Sequence, residues 1–412
     1  MRITFAHDSS VVLLPKLLKA DLRLFSLFLA IVLYACFGSP TPDSIGVMEG
    51  VVGGLLVFAI GVSGFACVLK RDVRQSAWFA VGQLFLLYGL CVGLIGAMIS
   101  GAELSAVMRD VLPFGFMFLP LFLVSRYEDG RVRDALIFLF CLLGIVFALR
   151  ASAPALGLSF GLGYDALYYL GNSPAVLFAA LFLWGIGVKS VAEALTPFHI
   201  VRALLFLSLS LLALIPIALT QQRAGIGAFA LYALFSFVYL FSLSPRRMIV
   251  VAGVFVPILM WLGAGAIAGT YSVLEIKTSL VGFNMRFEEW RAVWDAITVH
   301  PLSFLFGQGW GARFASPAVA DIEVYFTHSL LSSMLLKLGL SGLILCCGYI
   351  GVLFCLLLKG MRSNLLLVMA ISAPLLIDVF LYAAFKSLDF GLLLALVPLL
   401  VFSDDRHEQP IA

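Results

Sequence analysis

The sequence contains little charge. Asp, Glu, Lys and Arg make up 12% of its 412 residues, whereas soluble globular domains carry about 25%. Hydrophobic residues make up 62%, and 36 residues are Phe. So few charged side chains cannot cover the surface of a soluble enzyme of this length, and a chain this apolar does not stay disordered in water. A polytopic membrane protein remains, and the net charge of +3 is too small to indicate a nucleic-acid partner.

Motifs for metal and nucleotide chemistry are also missing. The sequence has no Walker loop, no zinc-binding helix motif and no nucleophile elbow. The seven Cys residues all fall inside apolar runs without metal-ligand spacing, which predicts small buried hydrophobic residues. We therefore expect neither a metal ion nor a cofactor. Residues 1–21 are too polar for a signal peptide, so the first apolar run is predicted to stay as an anchor.

Long apolar runs dominate what is present. A helix needs about 20 mostly apolar residues to cross the hydrocarbon layer, and an open sheet cannot pair its backbone there. The fourth, sixth and last runs are short, so we expect tilted, broken or partly interfacial helices at these places. The predicted fold class is all-α, a polytopic bundle of about 12 transmembrane helices. The runs lie near residues 22–38, 46–69, 76–98, 110–125, 134–155, 173–188, 198–220, 225–243, 248–269, 328–358, 364–385 and 388–403.

Basic residues are concentrated at one side of this bundle. The two termini and every second connection hold 17 of the 26 Lys and Arg residues. Cytoplasmic loops carry such an excess, so we expect both termini in the cytoplasm. The other side has the one long connection, residues 270–327.

The long connection divides the chain into three predicted parts. Residues 1–269 are transmembrane helices 1–9, residues 270–327 are an outer loop domain, and residues 328–412 are transmembrane helices 10–12 with a short cytoplasmic tail. We find no matching halves of the kind that many transporters have. Because the one long connection lies on the outer side, we expect the functional site on that side.

Arg223 is a basic residue on the outer side, against the general charge bias. It lies in the turn Thr220–Gly227 between two long apolar runs. A charge at a helix end in a bundle usually faces a water-filled cavity, and the neighbouring Gln residues and small residues predict a polar pocket for a ligand. The alternative is an Arg side chain that reaches lipid headgroup phosphate.

An amphipathic helix is predicted within the outer loop. Its apolar positions repeat at helical spacing and comprise Phe287, Trp290, Trp294 and Ile297. Asn284 is the predicted N-cap, and the helix is expected to lie on the outer membrane surface. Arg286 at the helix N-terminus is suited to a phosphate group. For Arg286 and Arg291 the alternative is contact with bulk lipid phosphate.

His328 is the candidate base, at the point where the outer loop re-enters the membrane. The unperturbed pKa of His lies near working pH, so His can take a proton from a hydroxyl; the alternative is a hydrogen-bonded interface residue. Lys337 stays near the same interface only if its helix is tilted or broken at Gly339. Two arginines for an anionic leaving group and one His for a hydroxyl suit transfer from a lipid-linked pyrophosphate, because sugar nucleotides are not available outside the cytoplasm.

The same residues resemble a known family over residues 220–345. The sequence that carries the resemblance comprises Arg223-Ala224-Gly225, then Arg286…Trp290-Arg291…His300-Pro301, then Gly307-Gln308-Gly309-Trp310-Gly311, and finally His328-Ser329-Leu330-Leu331 with Gly339…Gly342-Leu343. In order and spacing these motifs resemble the bacterial O-antigen ligase and O-antigen polymerase superfamily. One departure is Ser329, where that family more often has Asn.

The resemblance implies a GT-C-like, inverting glycosyltransferase of the bacterial inner membrane that uses no metal ion and acts on the periplasmic side. Its donor would be a glycan on undecaprenyl pyrophosphate. Arg223 and Arg286 would bind the pyrophosphate, Arg291 would assist, and His328 would be the general base.

The resemblance does not identify the acceptor. A ligase, slightly favoured, would use lipid A-core as acceptor, and a polymerase would use a second lipid-linked repeat. An exopolysaccharide or a protein hydroxyl is a third acceptor class. A flippase or transporter for the polysaccharide lipid is the alternative from another class.

Overall fold

The structure is a computed structural model, which describes residues 21–39, 46–69, 77–123, 130–154, 169–249, 252–253, 285–319, 321–362 and 364–402. The helices of the first half are α1 Leu22–Phe37, α2 Val47–Leu69, α3 Ala77–Ser100, α4 Leu104–Phe116, α5 Leu119–Phe122, α6 Gly130–Ser152, α7 Pro174–Glu193, α8 Pro197–Leu219 and α9 Arg223–Leu243. After them come α10 Met285–Thr298, α11 Pro301–Phe306, β1 Phe314–Ser316, β2 Ile322–Val324, α12 Leu330–Lys359, α13 Leu365–Phe380 and α14 Leu388–Phe402.

The described part of the chain is an all-α polytopic membrane protein, as the sequence predicts. Seven of its helices are long and apolar enough to cross a membrane, namely α2, α3, α6, α7, α8, α9 and α12. Three shorter apolar helices, α1, α13 and α14, coincide with further predicted runs. The run predicted at 248–269 lies almost entirely outside the described residues.

The run predicted at 110–125 is broken into two helices. Helix α4 ends at Phe116, and the short α5 begins at Leu119 after two turn residues. Each helix contains a proline, Pro113 in α4 and Pro120 in α5. Proline lacks a backbone N–H and clashes with the carbonyl of the preceding turn, so one straight helix cannot pass through this region.

Helix α7 lies at the centre of the bundle. It packs against α6, α8, α9 and α13, and most of its side chains are buried. The predicted burial of the seven cysteines is confirmed for Cys141 and Cys346, and Cys67 is half-buried. Cys36, Cys91, Cys347 and Cys355 are exposed on the protein surface, where an apolar thiol can contact lipid.

Helix α12 is broken at Gly339. A break or tilt there is what the sequence analysis required for Lys337 to stay near the outer interface. Gly339 has φ +68°, and Gly307 in the outer loop has φ +76°. The loop backbone enters this break: Gln308 N–H donates to the carbonyl of Leu336 and Gly309 N–H to that of Lys337, each at 3.0 Å. The break therefore joins the outer loop to the first turns of α12 by main-chain hydrogen bonds.

The loop is also fastened to α3. The Trp310 backbone N–H donates to the Gly93 carbonyl at 3.0 Å, and its indole N–H donates to the Gly89 carbonyl at 2.9 Å. The Cα of Gly309 would lie 2.8 Å from a Cβ placed on Gly96. Small residues on α3 thus leave room for both the loop backbone and a fully buried indole ring.

The outer elements share a second small core beside that of the bundle. It contains Val293 and Ile297 of α10, Ala312, Phe314 of β1, and Leu335 and Leu336 of α12. The predicted apolar stripe of α10 is divided between this core and the surface. Ile297 is buried, whereas Phe287 is 82% exposed and Trp294 46% exposed. The predicted N-cap Asn284 lies outside the described residues.

Alanine at position 339 is expected to lower stability. A Cβ on Gly339 would lie 2.4 Å from the Gly307 nitrogen, and a left-handed conformation alone costs a non-glycine residue about 1–3 kcal/mol. We expect a clear fall in the thermal unfolding temperature of the purified protein. Gly351→Ala on the same helix is the control, because nothing lies within 4 Å of its Cβ. Equal unfolding temperatures for the two variants would contradict the role of the break.

Candidate active site

His328 forms a pair with Glu289 of α10. The His328 Nδ1 lies 3.0 Å from Glu289 Oε1, and the His328 backbone N–H donates to Oε2 at 3.1 Å. The Glu289 side chain is 2% exposed, whereas that of His328 is 32% exposed. One carboxylate thus holds both the ring and the backbone of His328 while part of the imidazole stays accessible.

This pair fixes the tautomer of the imidazole. A carboxylate accepts a hydrogen bond, so Nδ1 carries the proton and Nε2 keeps its lone pair. The Ser316 hydroxyl at the end of β1 donates to Glu289 Oε1 at 3.3 Å, which helps to hold the buried carboxylate. The arrangement can remove a proton from a hydroxyl at Nε2 and stabilise the imidazolium that forms.

Glu289 was not predicted as a site residue. In the sequence, 39 residues separate Glu289 from its partner His328. One signal was present, since Glu289 lies one turn from Val293 and two turns from Ile297. A carboxylate on the buried face of an amphipathic helix needs a polar partner.

Ser329 has a local role beside the histidine. It is the N-cap of α12, and its hydroxyl accepts a hydrogen bond from the Ser332 backbone N–H at 3.1 Å. Ser and Asn are both strong N-cap residues. The departure from the family pattern therefore keeps the cap at the start of α12.

Arg286 lies one helical turn before Glu289 on α10. Its guanidinium donates to the carbonyl of Leu381 and lies 5.7 Å from the ring centre of Tyr382. Burial lowers the pKa of Arg286, but a guanidinium keeps its charge at any working pH. Within the described residues no carboxylate forms a salt bridge with it, so its charge is available to a ligand.

The positive charge of Arg223 also acts on the Tyr382 phenol. Burial raises the pKa of the Tyr382 phenol, while the positive charges of Arg286 and Arg223 lower it. Arg223 is the first residue of α9 and follows a turn in which Gln221 has φ +52°. The buried Gln222 amide donates to the Thr220 hydroxyl at 2.9 Å. The structure therefore brings Arg223 and Arg286 into electrostatic range of one phenol.

Arg291 lies apart from this group. It is exposed on α10, and two residues of helix place it about 200° around the axis from Glu289. Of the four predicted site residues, the structure gathers Arg223, Arg286 and His328 at one end of the bundle. Among the described residues, no group of three or more His, Cys, Asp and Glu side chains is arranged to hold a metal ion.

A buried charge cluster lies beside the site. Asp110 of α4 forms salt bridges with Lys337 and, at 3.1 Å, with Lys386, and it accepts the Gly311 N–H at 2.8 Å. Asp110 and Lys337 are almost fully buried. The cluster connects α4, α12, the outer loop and the connection between α13 and α14, so it holds together the four segments around His328.

The family comparison agrees with the motifs. Residues 208–347, about a third of the chain, match the family model described as O-Antigen ligase. This region contains Arg223, Arg286, Glu289 and His328. No curated protein matches the chain significantly. The resemblance that the sequence motifs carry is thereby confirmed over the part of the chain that holds the His328–Glu289 pair.

Proposed function

We propose that this protein is an O-antigen ligase-type, inverting glycosyltransferase. It moves a glycan from undecaprenyl pyrophosphate to a hydroxyl of lipid A-core. The observation that carries the proposal is the His328–Glu289 pair, with its oriented imidazole, one helical turn from the half-buried guanidinium of Arg286. The family match over the same residues supports it.

The pair supplies the base of the transfer. The Nε2 of His328 takes the proton of the acceptor hydroxyl as its oxygen attacks the anomeric carbon of the donor sugar. The bond from that carbon to the pyrophosphate oxygen breaks, and its electron pair leaves with the pyrophosphate. Because attack comes from the face opposite the leaving group, the anomeric configuration inverts. Glu289 stabilises the imidazolium during this step.

Arg286 and Arg223 bind the leaving pyrophosphate in this mechanism. Fixed cations next to a developing negative charge stabilise the transition state more in a partly buried site than they would in water. The half-buried Arg286 meets this condition. With two guanidinium groups as counter-charges, the residues need no metal ion to neutralise the pyrophosphate, and Arg291 on the exposed face has at most an assisting role.

The proposed location is the bacterial inner membrane, with both termini in the cytoplasm and the site on the periplasmic side. In this proposal the connections with many basic residues face the cytoplasm. The membrane lipid donor would then reach the arginines from the outer leaflet.

Reconstitution separates the candidate activities. Purified protein is mixed with synthetic undecaprenyl-pyrophosphate glycan, with or without lipid A-core, and without metal or nucleotide. Product on the core supports the ligase. Longer lipid-linked glycan in the core-free reaction would instead establish a polymerase. Movement of the lipid across vesicles with its glycosidic bond intact would establish a flippase.

Loss of Arg286 is expected to slow the transfer strongly. Removing one group that stabilises transition-state charge typically costs about 10²–10³-fold in kcat, so we expect this loss for Arg286→Ala in the reconstituted reaction. Arg286→Lys should recover only part of it, because Lys lacks the planar fork. Arg202→Ala is the control. Arg202 lies near the start of α8, whereas the proposed site adjoins the end of α8, so we expect little change in rate. Full activity of Arg286→Ala would contradict the pyrophosphate role.

A further inference from the structure

A second group of cations surrounds Tyr325, three residues before His328. The guanidinium carbon of Arg313 lies 4.3 Å from the Tyr325 ring centre and that of Arg109 lies 5.9 Å from it. Lys386 donates to the Tyr325 backbone carbonyl at 3.3 Å. We call Arg109, Arg313, Lys386 and Tyr325 the Tyr325 cluster.

The Tyr325 cluster carries an excess of positive charge. Arg109 and Arg313 are both exposed, and among the described residues neither forms a salt bridge with a carboxylate. Lys386 has Asp110 as partner, but Asp110 also neutralises the buried Lys337. Like charges gathered at one place attract an anion from outside. Contacts with an aromatic ring hold the two guanidinium groups in position for it.

The position of the cluster separates it from the proposed pyrophosphate site. Arg286 contacts the connection between α13 and α14 at Leu381 and Tyr382, whereas Lys386 lies one 3₁₀ turn further on, roughly 8 Å along the chain. His328 is hydrogen-bonded to Glu289, which lies one turn from Arg286 on α10. In the other direction, His328 follows Tyr325 of the cluster by three residues in the chain. Inversion requires acceptor and leaving group on opposite faces of the reacting sugar, so the base lies between two binding places.

We propose that the Tyr325 cluster binds an anionic group of the acceptor, a phosphate or a sugar-acid carboxylate. Arg109 and Arg313 contact the anion, Lys386 adds charge, and Tyr325 positions the guanidinium groups. This inference rests on the proposed function, because it takes His328 as the base that the acceptor hydroxyl must reach. It makes acceptor charge a determinant of acceptor choice.

The test compares the double variant Arg109→Gln/Arg313→Gln with the wild-type protein. The probes are phosphorylated core oligosaccharide and the same oligosaccharide after enzymatic dephosphorylation. We expect the variant to raise the Kd and the KM for the phosphorylated form by about 10- to 100-fold, since hydrogen bonds to charged groups contribute about 1.5–3 kcal/mol. The Kd for the dephosphorylated form, the donor KM and kcat should stay unchanged. Arg202→Gln is the matched control.

Other outcomes overturn the proposal. An increase in donor KM would assign the cluster to the donor, and an equal loss with both oligosaccharides would indicate a structural role. The same assays in phosphatidylcholine nanodiscs, with and without phosphatidylglycerol, separate a lipid headgroup from the acceptor. An effect that depends on phosphatidylglycerol would mean that the cluster binds headgroup phosphate.

Direct binding keeps this inference distinct from the proposed function. A wild-type protein that binds the phosphorylated oligosaccharide through the cluster but transfers no glycan would contradict the proposed function alone. A wild-type protein that transfers glycan while the double variant keeps its acceptor KM would contradict the inference alone. If the wild-type protein binds both oligosaccharides equally, acceptor charge is not recognised and the inference is wrong.

Discussion

Alanine in place of His328 is expected to lower kcat for glycan transfer by about 10²–10⁴-fold, the range that general base catalysis contributes. The side chain is partly exposed, and its ring packs edge-on against Phe326 with centroids 5.8 Å apart. In the alanine variant the buried Glu289 carboxylate loses the ring but still accepts the backbone N–H of residue 328 and the Ser316 hydroxyl. Folding and membrane insertion should therefore survive. Release of product from the lipid-linked donor, measured in the reconstituted reaction, gives the rate.

The matched control is His300→Ala in the same outer loop. His300 is the N-cap of α11, where its ring accepts the Leu302 N–H at 3.2 Å, so its loss should affect the local turn rather than the chemistry. Glu289→Gln should fall between wild type and His328→Ala, because the amide oxygen still accepts a hydrogen bond but carries no charge. Retained transfer in His328→Ala would overturn its assignment as the base.

Removal of Asp110 is expected to have the largest effect on stability. Breaking a buried ion pair by removing one partner costs about 3–5 kcal/mol, because the other charge stays buried. Asp110 is paired with two lysines, of which Lys337 is 1% exposed. For Asp110→Leu we expect a large fall in the thermal unfolding temperature, or loss of the folded protein, when detergent-solubilised material is measured by fluorescence-detected size exclusion.

A double variant tests whether the uncompensated lysine causes that loss. Asp110→Leu with Lys337→Met replaces the ion pair by two apolar side chains, and such replacements are often close to neutral. It should regain much of the stability that Asp110→Leu loses. Asp134→Ala, which removes an exposed partner of Arg133, should change stability by less than about 1 kcal/mol. If the double variant is no more stable than Asp110→Leu, charge burial is not the cause.

The sequence alone predicts the fold class well, since hydrocarbon thickness sets the length of a span and backbone pairing requires helices. His328, Arg223 and Arg286 could be proposed as site residues from the sequence, because a charge or an imidazole at an outer helix end is unusual in an apolar chain. Glu289 was not, since its pairing depends on how the outer loop folds back on α12. Asp110 and Lys337 are 227 positions apart, and only packing shows that they meet.

The packing and hydrogen bonding of the outer loop against α3 have a consequence for the evolution and engineering of specificity. Trp310 and Gly309 fit only against a helix that carries glycines at positions 93 and 96. A loop transplanted from a relative would lose this fit unless the matching face of α3 came with it. Chimeras that exchange residues 285–327 alone should therefore express poorly. A working chimera would have to exchange the loop together with the face of α3 that it contacts and the first turns of α12 up to the break.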